Sequence, residues 1–292
     1  MDPVDNRDDV REFLASRRAR ITPERAGLPH YGGTRRVKGL RREEVALLAG
    51  VSPDYYIRLE RGNLGGVSGT VLDAISRALR LDEAEHAHLH DLARAANGTA
   101  RPRRRPAPVV RPGVRQLLDA MTDAPAFVRN GRLDVLGANP AAEALYSPAY
   151  AARSRPVNLA RFCFLDPRAT VFYPDWAGAA DQTVALLRTE AGRDPYDRDL
   201  CDMVGELSTR SEEFRVRWAA HDVRLHHTGV KTFHHPVVGD LILSFEAMPL
   251  PADPGLTLTA YSAEPGSPSA DSLRLLAGWA ATSSAALPHR RA

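Results

Sequence analysis

The chain has 292 residues, 43% hydrophobic and 26% charged, with a formal net charge of +3 and two cysteines. A chain of this length predicts two domains, each able to bury its own core. The absence of an apolar run of ~18 residues excludes a predicted membrane helix. The polar start MDPVDNRDDV lacks the apolar stretch of a secretion signal. Cys163 and Cys201 read as small core residues in a reducing compartment, so a cytosolic location is expected. The charge is uneven. Residues 1–111 hold 21 Lys/Arg against 15 Asp/Glu, whereas residues 112–292 hold 18 against 21. A basic front on an acidic body suits a nucleic-acid-binding head, although arginine is also common in Ala/Arg/Pro-rich chains.

In chain order, residues 8–20 predict a first helix with Val10, Phe13, Leu14 and the stem of Arg17 on one face. Residues 22–39 form a glycine-containing polar connection, with Arg35, Arg36 and Lys38 near its end. It reads equally as a loop along a DNA backbone or as a solvated linker. The segment RREEVALLAGVSPDYYIRLERG, from Arg41 to Gly62, then carries the pattern of a helix-turn-helix. Val45, Ala46 and Ala49 share one face before Gly50, and Val51, Tyr56 and Leu59 share one after it. Gly50 suits the left-handed turn, Ser52 the N-cap and Pro53 the first helical position.

Such a unit places its second helix in the major groove of DNA. Periodicity points Ser52, Asp54, Tyr55 and Arg58 outward. Arg58 is the candidate for a guanine edge, against an alternative pairing with Asp54. Arg41, Arg42 and Arg61 are candidates for phosphate contacts. Ser68 predicts the cap of a fourth helix carrying Val71, Leu72, Ile75, Ala78 and Leu79. Asp82 begins a fifth with Leu89, Leu92 and Ala93. His86, His88 and His90, at spacings of two, read as surface and packing residues, and no metal site is expected. The expected fold is a five-helix all-α bundle over residues 1–96.

Residues 97–113, rich in Pro and Arg, read as an extended connector. From residue 114 to 280 an α+β domain with an antiparallel sheet is expected. Strands flank Asn130-Gly131, a hairpin signal, and Asn139 caps a helix opening with Pro140. Helical stretches follow at 178–191, around 197–207 and at 211–219. Strands are expected at 223–225, 231–235, 240–248 and 256–261. Such a sheet can enclose an apolar pocket, with Phe127, Leu136, Phe162, Phe164, Trp176, Trp218, Phe233 and Phe245 as candidate lining. Residues 281–292 read as a disordered tail.

The head, from GLRREEVALLAGVSPDYYIRLERG through VLDAISRALRLDEAEHAHLHDLA, resembles XRE-type helix-turn-helix regulators. The body resembles the MmyB-like, PAS-like ligand-binding domain of actinobacterial regulators. The matching segments include RPGVRQLLDAMTDAPAFVRNGRLDVLGAN, FLDPRATVFYPDW, HPVVGDLILSFE and YSAEPGSPSADSLRLLA. The resemblance implies a transcription factor that binds operators as a homodimer and senses a small, apolar or fatty-acid-like molecule. Ala138 stands where the family often carries tryptophan, which would reshape the pocket. NLGGVSGT lacks the usual proline before Ser68.

Two other readings compete: a regulator whose body only dimerises or binds a partner, and an enzyme tethered to DNA. His221-Asp222, His226-His227 and His234-His235 form a histidine-rich stretch, but no activated Ser or Cys accompanies it. Neither catalysis nor a cofactor is therefore expected.

Overall fold

A computed structural model of the protein describes residues 6–28, 37–97, 109–152, 154–220 and 228–285. Arg35, Arg36, most of the 97–113 connector, the 223–225 strand, His221, Asp222, His226 and His227 lie outside the described residues. In chain order the elements are α1 (Asn6–Arg20), α2 (Arg42–Ala49), α3 (Pro53–Glu60), α4 (Gly69–Ala78), α5 (Glu83–Asn97) and α6 (Pro112–Ala120). Next come β1 (Ala126–Arg129), β2 (Asp134–Ala138), α7 (Pro140–Leu145), α8 (Ser147–Tyr150) and β3 (Val157–Asn158). They are followed by α9 (Leu159–Leu165), α10 (Ala169–Phe172), α11 (Trp176–Arg193), α12 (Arg198–Arg210) and α13 (Glu212–Ala219). The last are β4 (Thr228–His235), β5 (Gly239–Pro249), β6 (Thr257–Ser262) and α14 (Pro268–Ala285). α14 thus continues past residue 280, where composition predicts an unstructured tail.

The chain forms two compact units. The first joins Met1–Arg104 to Val184–Leu225, and the second joins Arg105–Thr183 to His226–Ala292. This departs from a simple cut at the connector, because most of α11 with α12 and α13 belongs to the first unit. The physical reason lies at Arg188. Its buried guanidinium meets Asp9 of α1 at 3.2 Å, donates to the Trp218 carbonyl and lies 4.1 Å from the Trp218 ring centroid. Gly192 lies against the His88 imidazole, which a Cβ at that glycine would strike.

The predicted bundle forms within the first unit. Val10, Phe13, Leu14, Val45, Ala46, Tyr56, Leu59, Leu72, Ile75, Leu89 and Leu92 share one core. The helix starts follow the local chemistry. Ser52 Oγ accepts from Tyr55 N at 3.2 Å, and Ser68 Oγ from Val71 N at 3.4 Å. Asp82 and Glu85 cap one another reciprocally, with bonds of 2.8 and 3.1 Å. Glu85 also meets buried Arg17 at 2.9 Å and Arg20 at 2.8 Å.

In the second unit the described strands form a six-stranded antiparallel sheet in the order β3-β2-β1-β6-β5-β4. One face carries an aromatic cluster covered by α7, α9, α10 and α14. The other packs Ala126, Val128, Leu256 and Leu258 against Val114 and Leu118 of α6. The β1–β2 hairpin forms, but not through a two-residue turn. Leu133, at φ 64°, takes the left-handed position. Asn130 contributes its side chain, accepting from Asp134 N at 3.0 Å and donating to Asp134 Oδ2 at 2.9 Å. Asn139 does more than cap α7. Its Oδ1 accepts from Ala142 N and Ala126 N, and its Nδ2 donates to the Met121 and Ala124 carbonyls.

Candidate functional site

The turn between α2 and α3 fixes how the second helix is presented. Gly50 sits at φ 67° with its N–H on the α2 carbonyls, and Val51 N donates to Ala46 O at 3.0 Å. Val45 and Ala46, then Tyr56 and Leu59, anchor the two helices in the core. Ser52, Asp54 and Arg58 are consequently exposed along α3, with Tyr55 half-buried beside them. Arg58 does not pair with Asp54 among the described ion pairs; its guanidinium carbon lies 4.8 Å from the Tyr55 ring centroid. The guanidinium thus lies over the face of the Tyr55 ring in a cation–π contact. Ser52 Oγ accepts the cap bond from Tyr55 N, and its O–H remains to donate outward. Arg58 also borders a polar hollow of about 590 Å³ with Asn6, Arg7, Asn63 and Tyr196.

The flanking arginines divide. Arg41 and Arg61 are exposed. Arg42 meets Oε1 of buried Glu60 at 3.1 Å, while Arg18 grips both Glu60 oxygens at 2.8 and 3.1 Å. Arg42 therefore holds α2 to α3 as well as facing outward, a role that the simple phosphate-contact reading missed. Burial works to raise the Glu60 pKa, but bonding to Arg18 and Arg42 outweighs it and holds the carboxyl below its usual range.

In the second unit, the predicted lining residues separate into three environments. Phe127, Phe162, Phe233 and Phe245 belong to the aromatic cluster, packed with Tyr146, Phe172, Tyr173 and Tyr261. Ring centroids stand 5.2 Å apart for Phe172–Phe233 and 5.8 Å for Tyr146–Phe233. Tyr146 and Tyr261 share a hydroxyl–hydroxyl bond of 2.6 Å. Trp176 packs at the margin, donating Nε1–H to Cys163 O at 3.0 Å, with Phe164 edge-on to it. Leu136 lies instead with the α6 side of the sheet, because strand alternation turns it away from Val135. Trp218 belongs to the first unit, stacked on Phe214 at 5.4 Å, so it does not join the aromatic cluster.

Two features of this unit escaped the sequence reading. Lys231 occupies the inner face of β4, on the same side as Phe233, with its ammonium 4.9 Å from the Tyr173 centroid and 6.0 Å from that of Phe233. Burial lowers its pKa to about 8; Cys163 opposes the shift and Arg129 adds to it. The alternation of β4 was the available signal, since it places Lys231 two residues before Phe233. The second feature is an apolar cleft of about 560 Å³ lined by Ser147, Pro148, Ala151, Arg168, Val171, Phe172, His234 and Pro236. Phe172 forms part of both the cleft wall and the aromatic cluster. That volume is in the range of small-molecule sites.

Of the histidines in the 221–235 stretch, His234 and His235 are described, and both have hydrogen-bond partners within the protein. His235 accepts from Val237 N through Nδ1 at 3.2 Å, which leaves Nε2–H to donate to Ala144 O at 3.0 Å. His234 pairs with Asp240 across the hairpin at 2.6 Å. Both cysteines are free thiols, Cys163 buried and Cys201 partly so. Among the described residues no helix is long and apolar enough to cross a membrane.

Comparison with known families gives two matches. Residues 110–276 match the MmyB-like transcription regulator ligand binding domain, and residues 11–89 match a helix-turn-helix domain. Comparison with curated proteins gives no match.

Proposed function

The chain belongs to the MmyB-like transcription regulators, a helix-turn-helix DNA-binding domain joined to a ligand-binding domain, and from that premise we propose that its ligand is a small apolar molecule with an acidic head, such as a fatty acid. The observation that carries this reading is Lys231, a cation set among aromatic rings on the inner face of the sheet. An ammonium so placed favours an anion, while the surrounding rings and the Phe172 cleft favour an apolar body. The head would read DNA in the XRE manner, with Arg58 and Tyr55 on base edges and Arg41 and Arg61 on phosphates. The strand order, with β1 and the last strand β6 adjacent at the centre, supports a PAS-like assignment. The reading is a regulator without catalytic activity.

A ligand changes DNA affinity only if it binds the two states of the protein unequally. The test is native mass spectrometry of the full-length protein, followed by extraction and identification of released molecules. About one acidic lipid per chain, lost in Lys231→Met and weakened as pH rises through about 8, is the expected result. A neutral ligand, or acid binding unchanged in Lys231→Met, overturns the assignment. Exposed Val230 and Ile242 on the outer face of β4 and β5 support the dimer. Light scattering should report twice the chain mass, and Ile242→Lys should reduce it. A full-length protein without ligand that still dimerises and binds its operator would favour a dimerisation-only body.

A further inference from the structure

We propose that Asp73, His86 and His90 form a site for a divalent transition metal of the Zn²⁺, Co²⁺ and Ni²⁺ class on the DNA-binding unit. His86 and His90 are four residues apart on α5, one turn along the same face. Asp73 comes from α4. Both imidazole Nε2 atoms lie 3.0 Å from the same carboxylate oxygen, Asp73 Oδ1. The three donor atoms all fall within 4.8 Å of one another. The rings stand side by side, with centroids 4.5 Å apart and planes at 38°.

Metal–nitrogen and metal–oxygen distances of about 2.0–2.2 Å put tetrahedral ligand atoms roughly 3.3 Å apart, and each nitrogen–oxygen separation of 3.0 Å is within a few tenths of an ångström of that spacing. Without an ion, both imidazoles must direct N–H groups at one oxygen. An ion replaces that crowded arrangement with three lone pairs on one centre. The side chains are 28–44% exposed, which leaves water access to the remaining coordination positions. Imidazole and carboxylate together suit a transition metal better than Mg²⁺ or Ca²⁺. His88 takes no part: it is buried edge-on to Phe13 at 5.0 Å. Reading the three histidines as a run spaced by two obscures the outer pair at i and i+4.

Because the donors come from two helices, an ion would tie α4 to α5 and stabilise the folded state by mass action. The experiment uses full-length protein stripped with chelator and titrated with Co²⁺ and Zn²⁺. One ion per chain, visible d–d absorption with Co²⁺, and a rise in melting midpoint with Zn²⁺ are expected. His86→Gln, His90→Gln and Asp73→Asn should each weaken binding by about tenfold or more, and the midpoint should no longer rise. Circular dichroism of each metal-free variant checks that the fold is kept. Paramagnetic broadening of α5 amides by Co²⁺ in the wild type tests the location without any substitution. No saturable binding, undiminished affinity in the variants, or broadening away from α5 overturns the proposal.

Discussion

Glu60 closes the recognition helix with a carboxylate 1% exposed, an unusual place for a charge in a small helical core. It persists because Arg18 and Arg42 satisfy both of its oxygens. Glu60→Ala leaves Arg18 largely buried without this partner, and denaturant unfolding should show a loss of about 3–5 kcal/mol. The depressed Glu60 pKa contributes stability above its unfolded value near 4.5 that is lost as pH falls through the folded value. His235 titrates in a nearer range. Burial lowers its pKa, opposed by its bond to Ala144, so the folded state favours the neutral ring. The stability it contributes is present above about pH 6.5 and is lost as pH falls. Melting midpoints across pH 5–8 should fall on the acid side in the wild type and fall less steeply in His235→Gln. At Arg58 the expected outcome is functional: Arg58→Ala should relax operator selectivity in a binding-site selection, at about 1–3 kcal/mol of discrimination. Unchanged selectivity would remove Arg58 from the base-reading set.

Among the helices and turns, two glycines flank the recognition helix for different reasons. Gly50 has open space where a Cβ would stand and needs only its left-handed φ. Gly50→Ala should therefore cost about 1 kcal/mol in thermal or denaturant unfolding. Gly62 combines φ 91° with the Arg7 backbone, whose Cα would stand 2.5 Å from an added Cβ. Gly62→Ala must displace α1 and should cost distinctly more than Gly50→Ala in the same measurement; equal losses would show that the α1 approach yields easily. Gly50 was visible as a turn signal, whereas the demand on Gly62 comes from the approach of α1. The β1–β2 hairpin teaches the converse. Asn130-Gly131 marked the right place, but the strained residue is Leu133, whose side chain is 3% exposed. Burial of that side chain offsets a backbone conformation that leucine alone disfavours.

Across the full chain, the family boundary and the physical boundary differ. The ligand-binding family match covers residues 110–276, yet 184–225 folds with the helix-turn-helix. Arg188 meets Asp9, Gly192 meets His88, and Tyr196 shares a hollow with Arg58. Part of the ligand-domain sequence thus stands beside the recognition helix. A fragment ending at residue 104 would leave Asp9 and His88 without these neighbours. It should unfold at lower denaturant than the first unit does in the full chain, as followed by Trp218-independent far-ultraviolet signal. An equal midpoint would mean that residues 184–225 add nothing to the stability of the head.

Features encoded within a few turns of chain were legible in the residue order alone. These include the caps at Ser52, Ser68 and Asn139, the Gly50 turn, the inward stripes of α1 to α5 and the approximate strands of the second unit. Local hydrogen bonding and side-chain periodicity act over short separations, so their residues announce them. Only the meeting of distant segments buried Glu60 between Arg18 and Arg42, brought Trp218 to Arg188, and turned Leu136 toward α6. It also brought Asp73 to His86 and His90. Each of these depends on which faces of those segments come together, and burial and charge compensation are properties of that meeting rather than of either segment.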